Sequence, residues 1–242
     1  MLSLHNIHYI LPNDEKLIEG ISLDIQPGKL TVITGPNGGG TTSLAKLIAG
    51  LYMPSEGSIV LDDEDITALS ITERAQKGIA YAFQQPVTFK GLSVRQLMEI
   101  AAGEEMPEVR MCAILEKVGL CAREYMDRQM DSHLSGGEMK RIEIATVLAR
   151  KAKYVIFDEP EAGIDLWSFS SLIEAFKGLK ESEDRALLII SHQERILSIA
   201  DYIAVVADGK IVNYGKGEDI LPTLIDGGIK PHCPMGSSVR FK

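Results

Sequence analysis

The chain has 242 residues, 45% of them hydrophobic, and a net charge of -9, which suits one large domain or one domain carrying an inserted lobe. The acidic balance argues against general nucleic-acid binding, which needs a basic face, and no apolar run reaches the ~18 residues of a membrane-crossing helix, so no direct membrane insertion is expected. MLSL at the N-terminus lacks the basic and apolar regions of a signal peptide, and three scattered cysteines (Cys112, Cys121, Cys233) suggest no disulfide framework, so the expected setting is the reducing cytoplasm.

In chain order, residues 2–9 and 21–25 read as short strands, and KLTVIT (residues 29–34) reads as a buried strand. A glycine-rich stretch, GPNGGGTTS (35–43), follows at once, and residues 43–49 read as a helix ending at Gly50. Residues 58–61 and 78–83 read as strands. From residue 85 to 150 the pattern turns helical, with apolar residues three and four apart over 92–102, 108–118 and 136–149. That stretch reads as a helical lobe inserted between core segments 1–84 and 151–226. KYVIF (153–157) returns to a buried strand, 165–180 is a helix, RALLII (185–190) a strand and 192–199 a helix. VVADGKIV (205–212) reads as two strands about an Asp-Gly turn, and 227–242 as a tail with little periodicity. The alternation predicts an α/β fold with a mainly parallel sheet and some antiparallel elements.

Three stretches carry chemistry. Gly35, Gly40 and Thr42 fall where a phosphate-binding loop, G-x-x-x-x-G-K-[ST], needs them, between a strand and a helix. Such glycines turn backbone N–H groups inward as an anion nest, the helix N-terminus adds its dipole, and Thr42 offers a hydroxyl to Mg²⁺. Position 41, normally lysine, is threonine. YVIFDEP (154–160) runs a buried strand into Asp158 and Glu159, at the strand end where α/β sheets bind ligands. Asp158 is the candidate Mg²⁺ ligand and Glu159 the candidate base for the attacking water. LSGGE (134–138) opens a helix with Ser135 as N-cap and bare N–H groups at Gly136 and Gly137, a second candidate anion site.

These pieces in this order resemble the ATP-binding cassette (ABC) ATPases, the P-loop NTPase class. The resemblance takes Gly35, Pro36, Asn37, Gly38, Gly39, Gly40, Thr41, Thr42 and Ser43 as the phosphate loop, and Ser135, Gly136, Gly137 and Glu138 as the family signature. IFDEP supplies Asp158 and Glu159, EAGID supplies Asp165, AFQQP supplies Gln84, and Ser191-His192 supplies a switch histidine. It implies ATP and Mg²⁺ as ligands, Gln84 linking Mg²⁺ to the helical lobe, and His192 at the γ-phosphate. It also implies a head-to-tail, ATP-dependent pair of cassettes with nucleotide between one loop and the other signature. The family's adenine-stacking aromatic falls to Tyr9, although Leu11 can hold the same register.

Within the family, AYAFQQPV (80–87) and residues 191–215 look most like the ATPase subunit of the SUF-type iron–sulfur assembly system, which implies a soluble scaffold partner. The rivals are the nucleotide-binding subunit of an ABC transporter and a non-catalytic nucleotide-binding module. Val87, Phe89, Leu92 and Met98 are candidates for a partner surface on the helical lobe. Cys233 in KPHCP reads as a free tail thiol sooner than a cluster ligand. Thr41 carries no charge, so weak ATP binding and slow hydrolysis are expected. A natural loss of activity, an introduced substitution and a sequence error would each place it there, and the intact remaining motifs favour an altered copy of an active ATPase.

Overall fold

The computed structural model describes residues 1–131, 133–180 and 185–227. The tail from residue 228 on, with Cys233, lies outside the described residues. The elements run β1 (Leu2–Ile10), β2 (Lys16–Ile25), β3 (Leu30–Thr34), α1 (Thr41–Ala49), β4 (Glu56–Leu61), β5 (Glu64–Asp65), α2 (Ile71–Gln76) and β6 (Ile79–Ala82). Four helices follow, α3 (Val94–Ala102), α4 (Glu108–Lys117), α5 (Ala122–Tyr125) and α6 (Gly136–Ala149). The chain closes with β7 (Tyr154–Asp158), α7 (Leu166–Lys180), β8 (Ala186–Ile190), α8 (Glu194–Leu197), β9 (Tyr202–Ala207), β10 (Lys210–Lys216) and α9 (Gly217–Gly227).

The strands form two sheets. One has the order β2-β1-β4-β5 and is antiparallel. The other has the order β10-β9-β3-β8-β7-β6, parallel except for β10 at its edge. β3, β7 and β8 are buried along their whole lengths, which explains why they read as unbroken apolar runs instead of alternating ones. Their side chains still alternate between two faces. Leu30, Val32, Val155, Phe157, Leu187 and Ile189 join a core shared with α3, α4, α6 and α7. Ile33, Ile156, Leu188 and Ile190 join a second core with α1 and the antiparallel sheet.

Several local expectations shift. β2 begins at Lys16 instead of residue 21 because its first half pairs with β1, Lys16 opposite Ile10 and Ile18 opposite Tyr9. The helix expected over 192–199 shrinks to α8, since the chain must return to the sheet: Asp201 N–H donates to Leu30 O at 2.9 Å and Asp201 Oδ2 accepts from Leu30 N–H at 2.8 Å. α1 starts two residues before the expected position, which makes Thr41 its first residue. α2 and α9 were not expected. α2 opens with a Ser70–Glu73 capping box, legible only as a short polar signal.

Arg74 on α2 is fully buried and carries no salt-bridge partner among the described residues. Its guanidinium donates to four carbonyls: Leu47 at 2.6 Å, Ile48 at 2.9 Å, Thr67 at 2.8 Å and Leu69 at 3.0 Å. Two of these, Leu47 O and Ile48 O, lie in the last turn of α1, where Leu47 O also accepts from Gly50 N–H at 3.2 Å, so one side chain helps finish the helix that follows the glycine loop. Arg74→Leu takes this donor away from all four carbonyls. The expected loss is roughly 3 kcal/mol or more, given about 1–3 kcal/mol for each buried polar group left unsatisfied, read as a lower urea midpoint at unchanged slope.

Candidate functional site

Four strands end at one edge because they are parallel and in register. Ile33 pairs with Ile190, Asp158 with Ile190 and Ala82 with Phe157. The next residues in each strand's path are therefore neighbours in space: the glycine loop after β3, Asp158-Glu159 at the end of β7, Ser191-His192 after β8 and Phe83-Gln84 after β6. A cleft of about 260 Å³ opens there, lined by Asn37, Gly38, Gly40, Thr41, Thr42 and Ser43 of the loop together with Leu17, Gln84, Glu159 and His192.

The loop is built for close approach. At Gly35 a side chain would meet Val206 O at 1.8 Å, so the loop packs directly on the β9 backbone. Gly40, with φ at 97°, turns left-handed into α1 and leaves its first amides without a side-chain cap. Gly39 sits against the same β9 carbonyl, while Gly35 and Pro36 line a neighbouring hollow with His192. Bare amides at a helix N-terminus form an anion site, and the cleft's donor set fits phosphate groups.

Asp158 lies at the floor, fully buried. Thr42 Oγ1 donates to its Oδ1 at 3.0 Å and Tyr81 OH donates to its Oδ2 at 2.7 Å. Burial pushes the Asp158 carboxyl above its ordinary range, with the two hydroxyl hydrogen bonds opposing. Thr42 and Asp158 thus stand together as oxygen donors, which suits Mg²⁺ held by the loop hydroxyl and the strand-end aspartate. Glu159 takes φ 44°, a left-handed conformation costing about 1–3 kcal/mol for a non-glycine residue. Its N–H donates to Ile190 O at 3.0 Å, and its Oε2 accepts from Gln84 Nε2 at 2.8 Å. His192 Nδ1 lies 3.3 Å from Thr34 Oγ1.

Other expected site residues lie elsewhere. Tyr9 does not line the cleft; it stacks on Tyr52 with centroids 5.2 Å apart, and Leu17 stands at the cleft instead. Ser135 caps α6 in a capping box with Glu138. Both Glu138 oxygens are engaged, Oε2 by Ser135 N–H at 2.7 Å and Oε1 by Tyr125 OH, which pulls its carboxyl down to about 2. Gly136 faces open space, whereas a side chain at Gly137 would meet Gly163 O at 2.7 Å; the second glycine serves packing within the chain. Asp165 caps α7, accepting from Trp167 N–H at 3.1 Å and Ser168 N–H at 3.0 Å. None of these signature and Asp165 groups lines the cleft of their own chain.

Sequence reasoning missed Tyr81, Leu17 and Glu161. Glu161, its carboxyl raised by burial, accepts from Ser191 Oγ at 2.5 Å and so ties the loop after β7 to the one after β8. A carboxylate three residues past Asp158 is a visible signal; its partner 30 residues away is not.

A family model described as ABC transporter matches residues 18–162. The chain belongs to the ABC transporter family. Membership brings ATP binding and hydrolysis as its class of activity. An ABC transporter ATP-binding protein of Methanocaldococcus jannaschii is 33% identical over 228 residues, spanning 91% of this chain and 90% of that one. The lipopolysaccharide export ATP-binding protein LptB of Escherichia coli is 32% identical across 85% of this chain and 87% of its own length. MlaF, the ATP-binding protein of an intermembrane phospholipid transport system in Haemophilus influenzae, is 34% identical across 86% and 81%. Among solved structures, a dimeric cassette in a post-hydrolysis state with ADP and phosphate shares the fold, with TM-score 0.79, 22% identity, and 89% and 98% coverage. An ABC transporter cassette in its ADP conformation aligns with TM-score 0.77 at 28% identity over 94% and 95%. No helix among the described residues of this cassette is long and apolar enough to cross a membrane.

The raised Asp158 pKa has a stability consequence. The folded cassette holds the Asp158 proton more tightly than the unfolded chain, so the carboxyl's contribution to folding is most favourable below about pH 4, the unfolded value, and is lost as pH rises through the higher folded value. Asp158→Asn, measured by thermal unfolding without Mg²⁺, is expected to raise Tm near neutral pH, with the gain shrinking toward acid pH.

Proposed function

We propose that this cassette is the ATP-hydrolysing subunit of an ABC transporter, energising a separate membrane protein. The observation that carries the reading is the convergence of Thr42, Asp158, Gln84, Glu159 and His192 on one cleft beneath the glycine loop. In this reading the loop amides and the α1 N-terminus bind the phosphates, Thr42, Asp158 and Gln84 hold Mg²⁺, and His192 reaches the γ-phosphate. Mg²⁺ supplies neutralisation of the phosphate charge. Glu159 orients the attacking water and takes its proton. For that, its oxygen must leave Gln84. Ser135, Gly136 and Gly137, with Asp165, serve the cleft of a second copy, which agrees with their distance from their own.

Thr41 weakens the site. Among the described residues no lysine or arginine lines the cleft, whose charged side chains are Glu159 and, when protonated, His192. A hydrogen bond to a charged group contributes about 1.5–3 kcal/mol, and losing a preorganised transition-state donor costs about 10²–10³ in rate. Position 41, at the first residue of α1, lines the cleft. Thr41→Lys is expected to raise steady-state ATPase activity at least about a hundredfold; a rate no faster than that of the unaltered chain overturns the view that the rest of the site is competent.

The partner surface follows from the loop after Gln84. Val87 and Phe89 are 42% and 43% exposed and line an apolar groove of about 150 Å³ with Phe83, Leu97 and Met130. Met98 is fully buried and Leu92 packs on the core, so these two drop out of the docking surface. The relatives, ATP-binding proteins of transport and export systems, support a transporter partner, and its placement at this groove rests on the exposed Val87 and Phe89. The iron–sulfur scaffold reading rests on residues 80–87 and 191–215 and on the compact length. Phe89→Asp should release the partner and leave the ATPase folded, because water can reach the new charge. Co-purification from the native source before and after the change decides both points: a membrane protein supports the transporter reading, a soluble scaffold reverses it, and retention by the variant removes the groove from consideration.

A further inference from the structure

β6 is the edge strand of its sheet and pairs only with β7, through Ala82. Among the described residues no strand lies beside the chain that follows, Phe83 and Gln84. Two charged side chains from α6 take the strand's place. Lys140, fully buried, donates from Nζ to Phe83 O and to Gln84 O at 3.4 Å, and pairs with Glu143 Oε2 at 3.3 Å. Glu143 Oε1 accepts from Phe83 N–H at 2.9 Å. One turn of α6 therefore grips three backbone groups at the point where the chain enters the cleft. The next link is the Gln84 side chain, bonded to Glu159 at 2.8 Å.

Stability alone does not call for this pair. Removing an ammonium and a carboxylate from water is expensive, and replacing a buried ion pair by apolar residues of similar volume is often neutral or stabilising. What an apolar pair cannot do is hold an N–H and two carbonyls in a fixed place. Lys140 and Glu143 also lie five and eight residues beyond Ser135, on the same helix.

We propose that Lys140 and Glu143 are positioning residues for Gln84, gripping its backbone so that the helix opened by Ser135 sets where the Gln84 side chain stands relative to Glu159 and Mg²⁺. The inference rests on the reading of Gln84 as a cleft group. Its effect is that of an outer-shell contact on a metal ligand, where loss typically costs about 10- to 100-fold in metal affinity.

The test titrates Mg²⁺ into the full chain saturated with a fluorescent ATP analogue. The variant is Lys140→Met with Glu143→Gln, which leaves no unpaired buried charge and keeps an acceptor for Phe83 N–H. Half-saturating Mg²⁺ is expected to rise about tenfold or more, while nucleotide affinity in EDTA stays within about twofold. A purely structural role would weaken both together. Gln84→Ala is the control and should shift the Mg²⁺ titration alike. An unshifted Gln84→Ala sinks the reading of the cleft. A shifted Gln84→Ala beside an unshifted double variant, or equal weakening with and without Mg²⁺, sinks the positioning role. If the double variant does not fold, Lys140→Gln with Glu143→Gln, which likewise leaves no unpaired buried charge and keeps a donor as well as an acceptor, is read by the same criteria, with a smaller shift expected and no shift counting against the proposal.

Discussion

The in-register parallel pairing of β3, β8, β7 and β6 is the constraint on which everything else depends. Parallel strands share a direction, so the residues that follow each one arrive at the same edge. Ile190 stands opposite both Ile33 and Asp158, and Phe157 stands opposite Ala82. Four chain segments separated by up to about 150 residues are thereby brought to one cleft. Because these strands are buried on both faces, a slip of one residue would move every side chain to the wrong core.

Buried charge in this molecule is sorted by task. Arg74 makes only carbonyl contacts and ends α1. Lys140 and Glu143 hold the exit of β6. Asp158 accepts hydrogen bonds from two neutral hydroxyls, and its burial outweighs them and the weaker pull of the Lys46 charge, so it remains unfavourable in the free protein. A carboxylate kept in such a place is poised to accept a metal ion, whose charge offsets the desolvation. The left-handed Glu159 beside it is a second element of strain at the same strand end.

Threonine at position 41 leaves the fold of the loop in place. The loop keeps its left-handed glycine, its packing on Val206 and its helix, and Thr41 is itself buried at the helix start. What remains for a phosphate is the helix terminus, roughly half an elementary charge, and the loop amides. A full point charge at position 41 would carry about twice the charge of the helix terminus without asking anything new of the backbone.

The motifs at 35–42, 84, 134–138, 158–159, 165 and 191–192 were legible because each is a local string whose meaning is carried by residue type and order. The buried strands were legible as well, since burial on both faces demands an unbroken apolar run. α2 and the first half of β2 were not. Their signals are weak, and β2's early residues become a strand only by pairing with β1. Tyr9 shows the same limit: its stacking on Tyr52, 43 residues away, is a contact that no local pattern announces. Tyr81, Glu161, Lys140 and Glu143 look like ordinary strand, loop and helix residues until the sheet closes. Only then does each meet its partner, because a hydrogen bond between distant segments depends on packing that no local pattern encodes. The sequence by itself determined the chemistry available to this cassette; the tertiary structure decided which groups are spent on holding it together and which are left facing the cleft.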